Sequence, residues 1–148
     1  MSNLAVLDIS YETPRNLLVP DIVALYLKNG WNLNDFGNIS LRPLGDKDDF
    51  NWVKLGLNQE KELFEIILKK VEKNEEPAMV LMLDETEVGA VTTFFPKEKR
   101  INFLLNIGRK TLREVPSWTD INWYLIRVSK PLLENGIFVS KVNFSESI

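Results

Sequence analysis

Between Pro77 and Ile107 three strand-length segments follow one another with only short connections, and this run constrains the fold more than any other feature. Pro77 to Leu83 is almost continuously apolar, and Asp84-Glu85-Thr86 is a tight polar link. Glu87 to Phe95 comes next and is ended by Pro96, and Arg100 to Ile107 follows. A parallel crossover needs about a dozen residues or more, so links this short predict antiparallel neighbours.

The flanking segments extend the pattern. Residues 4–11, Leu-Ala-Val-Leu-Asp-Ile-Ser-Tyr, read as a strand, and residues 38–43 as another that ends at Pro43. Pro20 stands at a first helical position and Gly30 just past a helix end, with Ile22, Val23, Tyr26 and Leu27 at helical spacing between them. Leu63, Phe64, Ile67, Leu68 and Val71 form the clearest helical stripe, with Asn58 as its expected cap. Ser117-Trp118-Thr119-Asp120 matches a capping box, followed by the stripe Ile121, Tyr124, Leu125, Val128 and Leu132. Pro131 is expected to kink or shorten this helix and Asn135-Gly136 to end it, before a last strand from Ile137 to Phe144. The predicted fold is α+β: a mostly antiparallel sheet of about five to six strands with three helices packed largely on one face. Pairing at the ends of the sheet is left open. With 148 residues and no linker, repeat or low-complexity tract, residues 1–148 read as one domain.

Charge is uneven. Residues 1–99 carry 17 acidic and 11 basic side chains, whereas residues 100–148 carry 4 acidic and 7 basic. An acidic surface suits a basic protein partner, whose approach it would steer. The short basic segment Arg109-Lys110-Thr111-Leu112-Arg113 is the one place with a nucleic-acid flavour, and it reads as a solvated loop; no nucleic-acid partner is expected. The apolar runs are too short to cross a bilayer, so no membrane partner is expected either. Met1 to Ile9 lacks the basic start and unbroken apolar run of a signal peptide, and the expected location is the cytoplasm.

The usual catalytic groups are missing. The chain has no histidine and no cysteine, which removes Ser-His-Asp and Cys-His chemistry, the usual zinc sites and disulfides. The glycines are isolated and form neither a dinucleotide fingerprint nor a P-loop. Asp46, Asp48 and Asp49 have some character of an oxygen-ligand metal loop, but the sixth and twelfth positions of such a loop would be Asn51 and Leu57, where glycine and glutamate are required. A solvated acidic loop and a partner contact both remain readings of these aspartates. No enzyme activity, cofactor or metal is expected.

Three stretches together resemble small immunity proteins of contact-dependent growth inhibition and related polymorphic toxin systems. They are Leu44-Gly45-Asp46-Lys47-Asp48-Asp49-Phe50-Asn51-Trp52, Phe103-Leu104-Leu105-Asn106-Ile107-Gly108-Arg109-Lys110-Thr111-Leu112 and Thr119-Asp120-Ile121-Asn122-Trp123-Tyr124-Leu125, within residues 20–134. The resemblance implies a protein that binds and neutralises the C-terminal toxin domain of a secreted effector, often a nuclease, without activity of its own. The first expected contact set is Asp46, Asp48, Asp49 and Trp52, and the second is Asp84, Glu85 and Glu87. A small-molecule acetyltransferase-like enzyme is the alternative, because Ile39-Ser40-Leu41-Arg42-Pro43-Leu44 resembles the start of such domains; the absence of a glycine-rich pyrophosphate turn argues against it. A regulatory adaptor without a toxin partner is the third reading. Oligomeric state is undetermined at this level.

Overall fold

The computed structural model describes residues 4–46 and 51–147. In chain order the elements are β1 (Leu4–Glu12), α1 (Val19–Leu27), β2 (Trp31–Asn32), β3 (Asn38–Leu41), β4 (Val53–Gly56), α2 (Glu60–Glu72), β5 (Ala78–Leu83), β6 (Gly89–Phe95), β7 (Arg100–Ile107), α3 (Ile121–Leu133) and β8 (Phe138–Ser147). The fold is α+β, and the strands form one sheet in the order β4-β3-β5-β6-β7-β1-β8, with β2 paired to β5 beside β3. Every pairing is antiparallel.

Among the described residues eight strands replace the expected five to six. The two extra ones are β2, two residues long, and β4, whose four residues end at Gly56. Both are too short to show an alternating pattern, so neither could be read from periodicity. The central hairpins lie where the short links require them, and β7 spans the expected Arg100–Ile107.

One core joins the sheet to all three helices. Ala5, Leu7, Ile9 and Tyr11 alternate along β1 and are buried, and Leu81, Phe94, Ile101, Phe103 and Leu105 continue that face. Against it lie Ile22, Val23 and Tyr26 of α1, Leu63 and Ile67 of α2, and Tyr124, Val128 and Leu132 of α3. Each trio or pair follows the three-to-four-residue spacing of a buried helical stripe.

The helix starts differ in detail from expectation. Gln59, not Asn58, precedes α2, and its side chain accepts the Gly56 N–H at 2.6 Å. Asp120, not Ser117, caps α3, accepting the Trp123 N–H at 3.2 Å. Asn135-Gly136 does end α3, with Gly136 at φ 75 and the Ile137 N–H returning to the Leu132 carbonyl at 3.0 Å.

Pro131 does not shorten α3, which runs through it to Leu133. Proline has no N–H, so the carbonyl four residues earlier, that of Arg127, loses its helical donor. The indole N–H of Trp31 donates to that carbonyl at 3.0 Å. One residue on, the Tyr26 hydroxyl donates to the Val128 carbonyl at 2.6 Å. Two side chains from the α1–β2 segment thus complete the hydrogen bonding of α3 from inside the core. Trp31→Phe should therefore cost about 1–2 kcal/mol, the penalty of leaving a part-buried acceptor unpaired. Urea denaturation checks it: in a Pro131→Ala background the new N–H serves Arg127, and the same substitution should cost about 1 kcal/mol less.

Burial pushes the Tyr26 phenol well above its ordinary value of 10.0, with the nearby Tyr11 adding in the same direction, and Tyr11 and Tyr124 are also raised, chiefly by desolvation. A raised tyrosine stabilises the fold fully below the unfolded-state value and progressively less as pH climbs toward the folded one. Stability should therefore fall from about pH 9 to pH 11 as the unfolded chain ionises first, and Tyr26→Phe should flatten that decline. Chemical denaturation across this range, with an unchanged slope in the variant, would contradict the assignment.

Candidate functional site

Two tight turns are held together beside the β2–β5 pairing. The first joins β5 to β6 at Asp84–Glu87. Its Asp84 N–H donates to the Gly30 carbonyl at 2.9 Å, and Thr86 closes it internally, donating its hydroxyl to the Leu83 carbonyl and accepting the Val88 N–H. Thr86 does this polar work, so the side chains of Asp84, Glu85 and Glu87 remain exposed.

The second turn is Asp35-Phe36-Gly37-Asn38, between β2 and β3. Asp35 and Asn38 exchange backbone hydrogen bonds of 2.8 and 3.2 Å, and both central residues have positive φ, 48 at Phe36 and 103 at Gly37. Asn-Gly or Asp-Gly normally occupies such a turn, because a bulky residue is disfavoured at positive φ. Phe36 holds that conformation while 67% exposed, so core packing does not offset the strain. The turn is buttressed instead by polar side chains: Ser40 donates to Asp35 at 2.6 Å and Asn34 accepts the Gly37 N–H at 2.7 Å.

A chain of hydrogen bonds couples the two turns. Asn32 donates its side-chain N–H to Asp84 at 2.8 Å, its side-chain oxygen accepts the Asn34 N–H at 2.9 Å, and Asn34 reaches Gly37. Segments 30–38 and 84–88 hold four carboxylates, Asp35, Asp84, Glu85 and Glu87, and no cation. An adjoining hollow of about 380 Å³ is lined by apolar Leu27, Trp31, Leu33, Ile39 and Leu57 together with Asn32, Asn34 and Glu60. The arrangement is an exposed aromatic on a hydrogen-bonded turn, a partly apolar hollow and acidic neighbours. Such a surface can grip a partner carrying an apolar pocket and basic groups.

The first expected contact set lies elsewhere. The Arg42 N–H bonds to the Ala78 carbonyl, so the loop after β3 sits at the opposite end of β5 from Asp84. Asp46 is buried, 6% exposed, and accepts the Asn51 N–H at 3.0 Å. Its loop is anchored by the buried Lys70, which donates to the Pro43 carbonyl at 2.7 Å and pairs with Glu75 at 3.1 Å; Glu75 also accepts the Gly45 N–H. Asp48 and Asp49 lie outside the described residues. Trp52 is half-buried. Asp46 is therefore turned inward toward the Asn51 N–H, and the structure does not bring it together with Asp84, Glu85 and Glu87.

Phe36 was missed by sequence reading. The available signal was Asn34-Asp35 before Phe36-Gly37, a turn composition with an aromatic where asparagine would be usual. The basic segment also acquires partners in three dimensions. Arg109 pairs with Glu146 at 3.1 Å and donates to Thr119, while Lys110 and Arg127 lie 5.9 and 4.1 Å from the Trp123 ring centre. Gly108, at φ 55, passes so close under the Glu87 carbonyl that a Cβ would collide with it, which sets this loop against the acidic turn. Among the described residues no group of three or more His, Cys, Asp or Glu is placed to hold a metal, and no helix is long and apolar enough to cross a membrane. Compared with protein-family models, curated proteins and solved structures, the chain matches none.

If Phe36 is held for contact and not for packing, Phe36→Asn should leave stability unchanged or raise it by up to about 1 kcal/mol, because asparagine tolerates positive φ. A loss of more than about 1 kcal/mol in urea denaturation would show that the ring supports the fold.

Proposed function

We propose that this chain is a non-enzymatic protein-binding domain that neutralises a basic toxin domain, in the manner of the immunity proteins it resembles. The observation that carries the reading is Phe36: an exposed aromatic in a disfavoured conformation, tied by side-chain hydrogen bonds to a turn of three exposed carboxylates. Strain kept without a packing return points to a contact made with something else. Aromatic side chains are enriched in the desolvated centres of interfaces, and surrounding like charges raise the encounter rate with an oppositely charged partner. Asp84, Glu85 and Glu87 are the steering groups, able to occupy the place of phosphates against a nuclease surface. In this reading the protein works in the cytoplasm of the cell that makes it, and its partner is the C-terminal domain of a large secreted effector encoded beside its gene.

Co-expression with that domain tests the proposal. The chain should rescue growth and co-purify with the toxin domain. Phe36→Ala should raise Kd about 30-fold or more through faster dissociation, the effect of removing an anchor worth roughly 2 kcal/mol. Reversal of Asp84, Glu85 and Glu87 to lysine should lower the association rate at least about tenfold at low salt, with the gap closing as salt rises. If a rescuing complex forms with unaltered rates in both variants, this surface is not the interface. If the chain neither rescues growth nor binds, the immunity reading fails.

A further inference from the structure

The two ends of the sheet are treated very differently. At one end β4 is four residues long, carries Lys54, and offers little edge to another chain. At the other end β8 runs for ten residues, Phe138–Ser147, and among the described residues no strand pairs with its outer edge. It contains no proline and one lysine, and the register irregularity in its pairing with β1 falls near its start, opposite Ser10/Tyr11. Natural edge strands are usually shortened, charged, bulged or covered, because a long row of open N–H and C=O groups is a template for another strand. From Lys141 onward β8 has neither proline nor register shift, and its charges are Lys141 and Glu146, the latter paired with Arg109.

Its side chains suit one arrangement. Val142 and Phe144 pair with Ile9 and Leu7 of β1, so they lie on the helix-bearing face, yet they are 41% and 36% exposed. The helix that packs on β8 is α3, which also exposes Ile126 and Leu133, seven residues apart on one side. Lys141, Asn143 and Ser145 occupy the opposite face.

We propose that β8 is a homodimerisation edge, where two copies pair antiparallel about a two-fold axis through Asn143. An antiparallel pair has its two-fold axis perpendicular to the sheet, so both helix layers fall on the same side and the α3 helices approach each other. With Asn143 opposite its own copy, Val142 faces the second copy's Phe144 twice, bringing the half-exposed apolar groups of the edge together. Lys141 then faces Ser145 and Glu146 faces Ser140, so no like charges meet. A shift of one residue either way leaves Phe144 opposite Ser140, or Val142 opposite Glu146, and loses that match. The Phe36 end is not used, so this proposal stands independently of the immunity reading.

Sedimentation equilibrium of the full chain from about 1 to 100 µM tests it, with circular dichroism to follow folding. The expected result is a monomer–dimer equilibrium, raised at least tenfold in Kd by Val142→Lys with Phe144→Lys. The natural chain has no cysteine, so an introduced one reports only on itself. Asn143→Cys should form a disulfide-linked dimer under mild oxidation, because residues opposite across a two-fold axis fall within the roughly 4.4–6.8 Å between Cα atoms that a disulfide needs. Ser145→Cys should not, because its copies would lie about 14 Å apart along the strands. A monomer at every concentration overturns the proposal, as does linking of Ser145→Cys as readily as Asn143→Cys. So does a monomeric chain whose Val142 and Phe144 variant loses the toxin domain, since the edge would then serve a foreign strand.

Discussion

The hydrogen bond from Trp31 to the Arg127 carbonyl is the interaction on which the arrangement of the helix layer depends. Pro131 would leave the part-buried Arg127 carbonyl without its helical donor, and an unpaired acceptor at the margin of a core costs stability. Only a donor from another element can relieve it. Trp31 reaches it because the chain turns at Gly30 and enters the two-residue strand β2, which pairs with the end of β5. The same ring packs 5.9 Å from Tyr26 and 6.0 Å from Phe103, so one side chain ties α1, β2, β7 and α3. Burial of the Tyr26 hydroxyl against the Val128 carbonyl follows from that geometry.

The position of the candidate site follows from the same constraint. Pairing of β2 to β5 is what brings Asn32 to Asp84, and Asn32 passes that order through Asn34 to the Phe36 turn. A surface aromatic is therefore positioned by a short strand whose own place is set by a core tryptophan. At the opposite end of β5 the buried Lys70–Glu75 pair performs a comparable service for Pro43–Gly45, with Asp46 folded inward. The acidic character of the first two-thirds of the chain is thus divided between carboxylates that order loops and carboxylates that face solvent.

Much of the sheet was legible. The links at Asp84–Thr86 and after Pro96 leave antiparallel hairpins as the natural outcome, and the boundaries of β7 were met. The stripe Tyr124, Val128 and Leu132 marked the buried face of α3, and Leu63 and Ile67 that of α2, because burial imposes the 3.6-residue period on the side chains. Leu68, expected in the α2 stripe, is instead 42% exposed, and Lys70 is buried in its place to pair with Glu75. Illegible elements were those without a period: β2 with two residues and β4 with four. For Pro131 the local rule was sound, but a distant indole supplied what the helix lacked. The site was half legible: Asp84, Glu85 and Glu87 stood out as a charged link, whereas Phe36 looked like any other aromatic near a glycine.

The sequence by itself determined the class of fold, the antiparallel order of its central strands and the absence of histidine and cysteine chemistry. These follow from spacing and residue type, which are local properties. Tertiary structure alone decided which carboxylates face outward, which aromatic is buried and, among the described residues, which long edge strand has no neighbour. Those depend on where remote segments meet: Trp31 is hidden and Phe36 exposed, five residues apart, because one finds an acceptor in α3 and the other stands at the tip of a turn.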